Sequence, residues 1–361
     1  MKVLAVNSSP RAQGQSKTKL MLDHLVKGMR GAGAEVEVVD LKTKKMNYCI
    51  GCLACWTKTP GVCVHKDDMT SELLPKFLES DLAILATPLY HFTINAQMKT
   101  FIERTLPAIQ PFFKESGGKI YHPLRGRHPM IVMLSVAGFP QRSVFNQLSS
   151  WVNFIYGAAG GLAAEIYRPF AESLTLPFFK DRSDDIFDAT AQAGLELVKT
   201  LRVFPETMER ITQDIADDSN AFLKTVGNIM WETCIDEGVT PKEFADRDMI
   251  PRPNSIESFM AFMSIAFNPE AARDMSAVMQ YDFSGEIEGS CHFIIADGKI
   301  SFQEGPAKDP DTTVNTPFEV WMDILTKKAD GRQMFMEQKY SAKGDLNLLM
   351  RMNELFGGHG G

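Results

Sequence analysis

The chain has 361 residues, 44% of them hydrophobic and 23% charged, with a formal net charge of -7. That length favours two domains over one, and the composition is that of a globular protein. The negative balance argues against a nucleic-acid partner held by phosphate neutralisation, and no stretch approaches the ~18 apolar residues of a membrane span.

Taken in chain order, Lys2–Asn7 is a short apolar run that predicts a buried parallel strand. Leu22, Leu25, Val26 and Met29 recur at helical spacing, and Gly31 is placed to stop that helix. Glu35–Leu41 predicts a second strand, Thr70–Leu78 a helix, Leu82–Ala86 a third strand and Ala96–Thr105 a helix. Met130–Val136 and Ala163–Tyr167 complete the strands, with helices over Ser143–Tyr156 and Asp184–Leu201. Strands alternating with helices predict an α/β fold: a doubly wound, five-stranded parallel sheet with helices on both faces. Ligands of such sheets bind beyond the carboxyl ends of the strands. The loops after strands one, three and four are therefore the ones that can hold a ligand.

Residues 1–204 form this first domain, and 205–254 read as a helical connector. Within the connector, Pro205–Glu237 is charged and helix-like, and Pro241–Pro253 carries three prolines. From Ser255 the pattern changes to an α+β domain over 255–357. Gln280–Gly289, Cys291–Ala296 and Lys299–Gln303 read as antiparallel strands, the last two joined by an Asp297-Gly298 turn. Thr316-Pro317-Phe318-Glu319 predicts a helix with Thr316 as N-cap, ending at Gly331. Asp345 caps a last apolar helix, and 358–361 read as a disordered tail.

The loop after strand one carries Ser9, Arg11, Gln15, Ser16, Lys17 and Thr18. Amides at a helix start, hydroxyls and two cations together make a cradle for a monophosphate. The alternative is a polar loop that only caps a helix. Neither GxGxxG nor GxxxxGK[ST] is present, which disfavours a dinucleotide or triphosphate. The loop after strand three offers Pro88, Leu89, Tyr90, Phe92, Thr93 and Ile94, a rigid turn with aromatic surface and backbone amides suited to the edge of a flat heteroaromatic ring; read alone, it could equally cover the end of the sheet. The loop after strand four brings Ser135 and Gly138, small residues that admit a close backbone approach.

Four of the six cysteines, Cys49, Cys52, Cys55 and Cys63, fall in one segment with C-x2-C-x2-C-x7-C spacing. The polar residues Asn7-Ser8-Ser9 arrive too early for a signal peptide, so a cytoplasmic, reducing location is expected. There, clustered thiols suggest a metal or redox site, and the run suits a [4Fe–4S] cluster. A packed loop of reduced thiols is the other reading. His65 is expected at the surface.

Ser9-Pro10-Arg11 with Gly14, Thr87-Pro88-Leu89-Tyr90 with Lys99-Thr100-Phe101-Ile102-Glu103-Arg104, and the cysteine segment together resemble the NADPH-dependent FMN reductase and iron–sulfur flavoprotein families. The resemblance covers roughly residues 1–200. It implies a flavodoxin-like fold, FMN phosphate on the Ser9–Thr18 loop, the isoalloxazine against Pro88–Ile94, NAD(P)H as donor, and a homo-oligomer. Tyr281-Asp282-Phe283-Ser284-Gly285, Phe293-Ile294-Ile295-Ala296-Asp297-Gly298-Lys299, Asp309-Pro310-Asp311-Thr312-Thr313-Val314 and Lys343-Gly344-Asp345 resemble the sterol carrier protein type-2 family. That resemblance implies a curved sheet with an apolar tunnel for a lipid-like ligand. Twelve of the 20 methionines lie after residue 205, which suits an adaptable apolar pocket or a loosely specified core alike.

Three functions compete on this reading. The leading one is an FMN-dependent NAD(P)H oxidoreductase passing electrons to a quinone, a small aromatic or a protein acceptor. The second is an electron-transfer module with a [4Fe–4S] cluster on Cys49–Cys63, and the third a lipid-binding protein with an accessory flavin domain.

Overall fold

The computed structural model describes residues 1–356 apart from Gln13, Ala159, Pro177 and Phe178. The tail expected at 358–361, and residue 357 at the end of the last expected domain, lie outside the described residues. The chain divides into two compact units, Met1–Asp217 and Asp218–Gly361. No helix among the described residues is long and apolar enough to cross a membrane.

In the first unit the strands β1 (Lys2–Asn7), β2 (Glu35–Asp40) and β3 (Leu82–Pro88) precede a small hairpin, β4 (Lys114–Ser116) and β5 (Lys119–Tyr121), and are followed by β6 (Met130–Val136) and β7 (Leu162–Arg168). Five of them form one sheet in the order β2-β1-β3-β6-β7, parallel throughout. This is the flavodoxin-like doubly wound sheet. β3 is buried along its whole length, as a strand covered on both faces must be. The helices are α1 (Lys17–Gly31), α2 (Leu74–Glu79), α3 (Ala96–Glu103), α4 (Asn146–Val152), α5 (Lys180–Thr200) and α6 (Pro205–Thr212).

Side chains alternate across the sheet. Leu4, Val6, Leu85 and Met133 share an apolar core with Met98 and Phe101 of α3 and Leu148 and Val152 of α4. On α1 the residues at helical spacing, Leu22, Leu25, Val26 and Met29, are all buried, and α1 packs against α5 as well as the sheet. The hairpin β4–β5 is an addition to the expected elements: its strands are three residues long and fully exposed, without an apolar pattern, and only the Gly117-Gly118 turn (φ of 58° and 72°) marks it in the sequence.

The second unit begins with α7 (Ser219–Phe222), α8 (Asn228–Asp236), α9 (Pro241–Asp246) and α10 (Ile256–Ala266). The strands β8 (Ser276–Ser284), β9 (Gly289–Ala296), β10 (Lys299–Glu304), β11 (Thr312–Pro317) and β12 (Ser341–Gly344) form a mixed sheet in the order β10-β9-β8-β11-β12. Asp297 and Gly298 occupy the turn between β9 and β10 with φ of 51° and 69°, the geometry an Asp-Gly hairpin needs. The core is aromatic: Phe259 meets Tyr281 at 5.3 Å and Phe283 at 5.2 Å between ring centroids, and Tyr281 meets Trp321 at 5.2 Å.

Two helix boundaries differ from expectation. Thr316 and Pro317 belong to β11, paired with Phe283 and Ser284 of β8, so Thr316 is not an N-cap; its hydroxyl donates to the Pro317 carbonyl. Strand pairing overrides the local helix-start signal. The helix that follows is α11 (Phe318–Leu325), and Gly331 opens α12 (Gly331–Met336) under an Asp330 cap instead of ending a helix. Asp345 does cap, but the last apolar segment is two short helices, α13 (Leu346–Met350) and α14 (Met352–Phe356).

Candidate functional site

The loops after β1, β3 and β6 meet at the carboxyl ends of their strands. The first is anchored to β3, because Ser8 donates its N–H (2.9 Å) and its hydroxyl (3.1 Å) to the Ala86 carbonyl. Ser9 is buried and donates its N–H to Asn7 Oδ1. Gln15 lies in a turn closed by its N–H on the Ala12 carbonyl. Ser16 is the N-cap of α1, accepting from the Lys19 N–H at 3.0 Å, and Thr18 is buried in the first turn.

Arg11 donates to Glu172 at 2.6 Å, and the Lys17 ammonium stands 3.9 Å from the same carboxylate. Burial lowers the Lys17 pKa; Glu172 opposes that shift and Arg11 adds to it. Two cations thus converge beside a helix N-terminus, where the peptide dipoles also favour an anion.

Asn95, at the end of the second loop and not among the residues the sequence singled out, joins the first two loops. Its Nδ2 donates to the Ser8 carbonyl at 2.6 Å, its N–H to Thr87 Oγ1 at 3.2 Å, and its Oδ1 caps α3 by accepting from Met98 N–H. The available signal was an Asn directly before a helical run.

Pro88 closes β3 and Leu89 donates its N–H to Val136 at the end of β6. Tyr90 and Thr93 then exchange both backbone hydrogen bonds around His91 and Phe92, which have φ of 47° and 63°. That is a left-handed two-residue turn built without glycine, an uncommon and costly choice. It leaves Tyr90, Phe92 and Thr93 exposed and Ile94 buried. Phe92 stacks on Phe139 of the third loop, with centroids 6.3 Å apart and planes 19° from parallel.

Ser135, expected in that third loop, lies instead within β6, paired with Thr87 and Tyr167, and its fully buried hydroxyl has no hydrogen-bond partner among the described residues. At Gly138 an added Cβ would meet nothing within 4 Å. The open space at Gly138 leaves the backbone of the third loop accessible to a close approach.

The four cysteines stand together. Cys49, Cys52, Cys55 and Cys63 line one small, solvent-open recess with His65, Glu103 and Arg104. All are free thiols, Cys55 buried and Cys52 exposed. Burial, reinforced by Cys63 and Cys49, pushes the Cys55 thiol up. His65, expected at the surface, is partly exposed at the rim of this recess, although its Nε2 is buried and has no partner among the described residues. Four soft donors in one recess fit an iron–sulfur or thiophilic group in kind. In this conformation no three His, Cys, Asp or Glu side chains among the described residues are arranged to hold a metal ion.

Comparison with known proteins places these features in context. Residues 1–164 match the family model of NADPH-dependent FMN reductase, and residues 265–357 that of the SCP-2 sterol transfer family. The chain is 47% identical over 107 residues to an iron–sulfur flavoprotein of Archaeoglobus fulgidus, a match covering 30% of this chain and 46% of that protein. A second iron–sulfur flavoprotein, from Methanocaldococcus jannaschii, is 36% identical over 104 residues, 29% of this chain and 50% of that protein. An FMN-dependent NADH:quinone oxidoreductase of Pseudomonas fluorescens is 30% identical over 146 residues, 38% of this chain and 68% of that protein. The chain spans about half the length of the two iron–sulfur flavoproteins.

Proposed function

We propose, for a chain that belongs to the NADPH-dependent FMN reductase family over residues 1–164 and matches the SCP-2 sterol transfer family model over residues 265–357, that the first unit is an FMN-dependent NAD(P)H oxidoreductase. The observation that carries this reading is the convergence of three strand-end loops, stitched by Asn95, around paired cations at the start of α1. Ser9, Gln15, Ser16 and Thr18, with Arg11 and Lys17, hold the phosphate. Pro88, Leu89, Tyr90, Phe92, Thr93 and Ile94 bind the ring on one side, and Ser135 at the end of β6 and Gly138 of the third loop admit it from the other. When bound, FMN takes hydride from NAD(P)H and passes electrons on; the protein positions it and tunes its potential.

The acceptor is a quinone, a small aromatic or a protein, and the protein works in the cytoplasm, where its free thiols stay reduced. Exposed Phe112 and Phe113 just before the hairpin, with Ile120 on it, support a homo-oligomer. The four thiols sharing one recess support a second role, in which Cys49, Cys52, Cys55 and Cys63 hold a [4Fe–4S] cluster for one-electron transfer. The SCP-2 unit takes an apolar, lipid-like ligand.

The test is steady-state oxidation of NADH and of NADPH by anaerobically purified, FMN-loaded protein, with a benzoquinone and an azo dye as acceptors. Flavin-dependent turnover with either nicotinamide is expected; its absence with both would overturn the oxidoreductase reading. Iron, sulfide and EPR measurements on the same preparation decide the cluster.

A further inference from the structure

The thiol loop is closed at its neck. Asn47 donates its N–H and its Nδ2 to Asp67 Oδ2 at 2.9 and 3.2 Å, and Lys45 and Asp68 are bonded just outside. Arg104, directly after α3, reaches into this neck. Its Nη1 donates to the Asn47 carbonyl at 2.6 Å and Asp67 Oδ2 at 2.7 Å, and its Nη2 to Asp67 Oδ1 and Thr70 Oγ1 at 2.9 Å each. The side chains of this pair are 1% and 3% exposed. Arg104 also lines the thiol recess with Cys63. At its other end α3 is capped by Asn95, the residue that binds the Ser8 carbonyl and Thr87. One eight-residue helix, ~12 Å long, therefore runs from the phosphate-loop stitch to the neck of the thiol loop.

We propose that Arg104 is the positioning residue of the thiol loop: it closes the Asn47–Asp67 neck so that the four cysteines share one recess, and through α3 it registers that recess against the loops after β1 and β3. This rests on the reading that the four thiols act as one site, not on what they hold. Only a planar guanidinium can bridge a carbonyl, both oxygens of a carboxylate and a hydroxyl at once; a lysine ammonium supplies the charge without that fork.

The experiment uses the full chain, loaded with FMN under anaerobic conditions, as wild type, Arg104→Lys, and the double variant Arg104→Met with Asp67→Leu. The double variant removes both charges, so neither is left buried and unpaired. Hydrogen exchange is expected to be ~tenfold faster across residues 47–67 in both variants, with β1 and β3 as protected as in wild type. Titration with Co(II) alone reads the thiols, because thiolate-to-cobalt charge-transfer absorption reports how many sulfurs bind together. Wild type is expected to show a multi-thiolate band, and both variants to lose roughly half of it or more.

Wild-type exchange in the loop of Arg104→Lys overturns the proposal. So does a general loss of protection in β1 and β3 in both variants, which would make Arg104 a global stability residue. If wild type gives no thiolate–cobalt band while loop exchange still rises in the variants, the shared-thiol reading fails and the latch stands.

Discussion

Asp67 keeps its charge in a place that works against it. Burial favours the neutral acid, but the Arg104 guanidinium and the Asn47 and Thr70 amides hold the carboxyl far below its usual range. A carboxyl whose folded pKa is depressed adds stability above its unfolded pKa of about 3.9, and that stability is lost as pH falls toward the folded value. Asp67→Asn is therefore expected to cost about 3–5 kcal/mol at pH 7, because it leaves Arg104 buried without a counter-charge. It should also flatten the acid limb of stability below about pH 4. Urea unfolding at a series of pH values checks both, and an unchanged acid limb would assign the acid sensitivity elsewhere. His91 is the opposite case, since its left-handed backbone is a cost, and among the described residues no hydrogen bond from its side chain offsets it. His91→Gly is expected to raise stability by about 1 kcal/mol. If thermal unfolding shows no gain, the turn is not strained.

At the scale of elements, α1 and α5 meet backbone to backbone. A Cβ on Gly28 would lie 1.7 Å from the Ala191 carbonyl oxygen, and one on Gly194 would lie 2.1 Å from that of Leu25. No side-chain motion relieves contacts with backbone, so the helices must separate. Gly28→Ala and Gly194→Ala are each expected to destabilise the first unit by about 3 kcal/mol, although alanine is the better helix former. Chemical denaturation measures this, and a neutral substitution would mean that the helices ride further apart. This contact was not legible in the sequence, where either glycine reads as a tolerated residue inside a helix.

What was legible were features that report themselves locally. The apolar runs at 2–7, 82–86 and 130–136 read as strands because a strand covered on both faces needs no polar alternation, and the second of them runs two residues further, to Pro88. The polar loop between β1 and α1, with its N-cap at Ser16, announced itself by its residue types. The His91–Phe92 turn did not, since neither residue carries the usual glycine or asparagine signal. Nor did the Arg104–Asp67 latch, whose partners are 37 residues apart in sequence. Thr316-Pro317 misled because the strand ladder with β8, a tertiary fact, outweighed a well-formed local motif.

At the scale of the molecule, each unit has its own apolar core: the layers around the parallel sheet in the first, and the aromatic cluster under the mixed sheet in the second. Cores that share no side chains melt as separate cooperative events unless an interface couples them. Two calorimetric transitions are therefore expected. A ligand stabilises only the unit that binds it, by about 2.7 kcal/mol at a hundredfold excess over Kd. FMN should move one transition upward by several degrees and leave the other in place. Palmitate, an apolar chain with one polar end, should move only the other. The second arm is the sharper one, because rings of Phe259, Tyr281, Phe293 and Trp321 already meet at 5.2 to 5.7 Å across that core. A chain that enters must displace them, yet the buried Trp321 Nε1 has no acceptor among the described residues and would gain one from a ligand oxygen. If both transitions rise with FMN, the units are thermodynamically coupled. If palmitate moves neither, the aromatic core is closed to lipid and the second unit has a role other than carrying it.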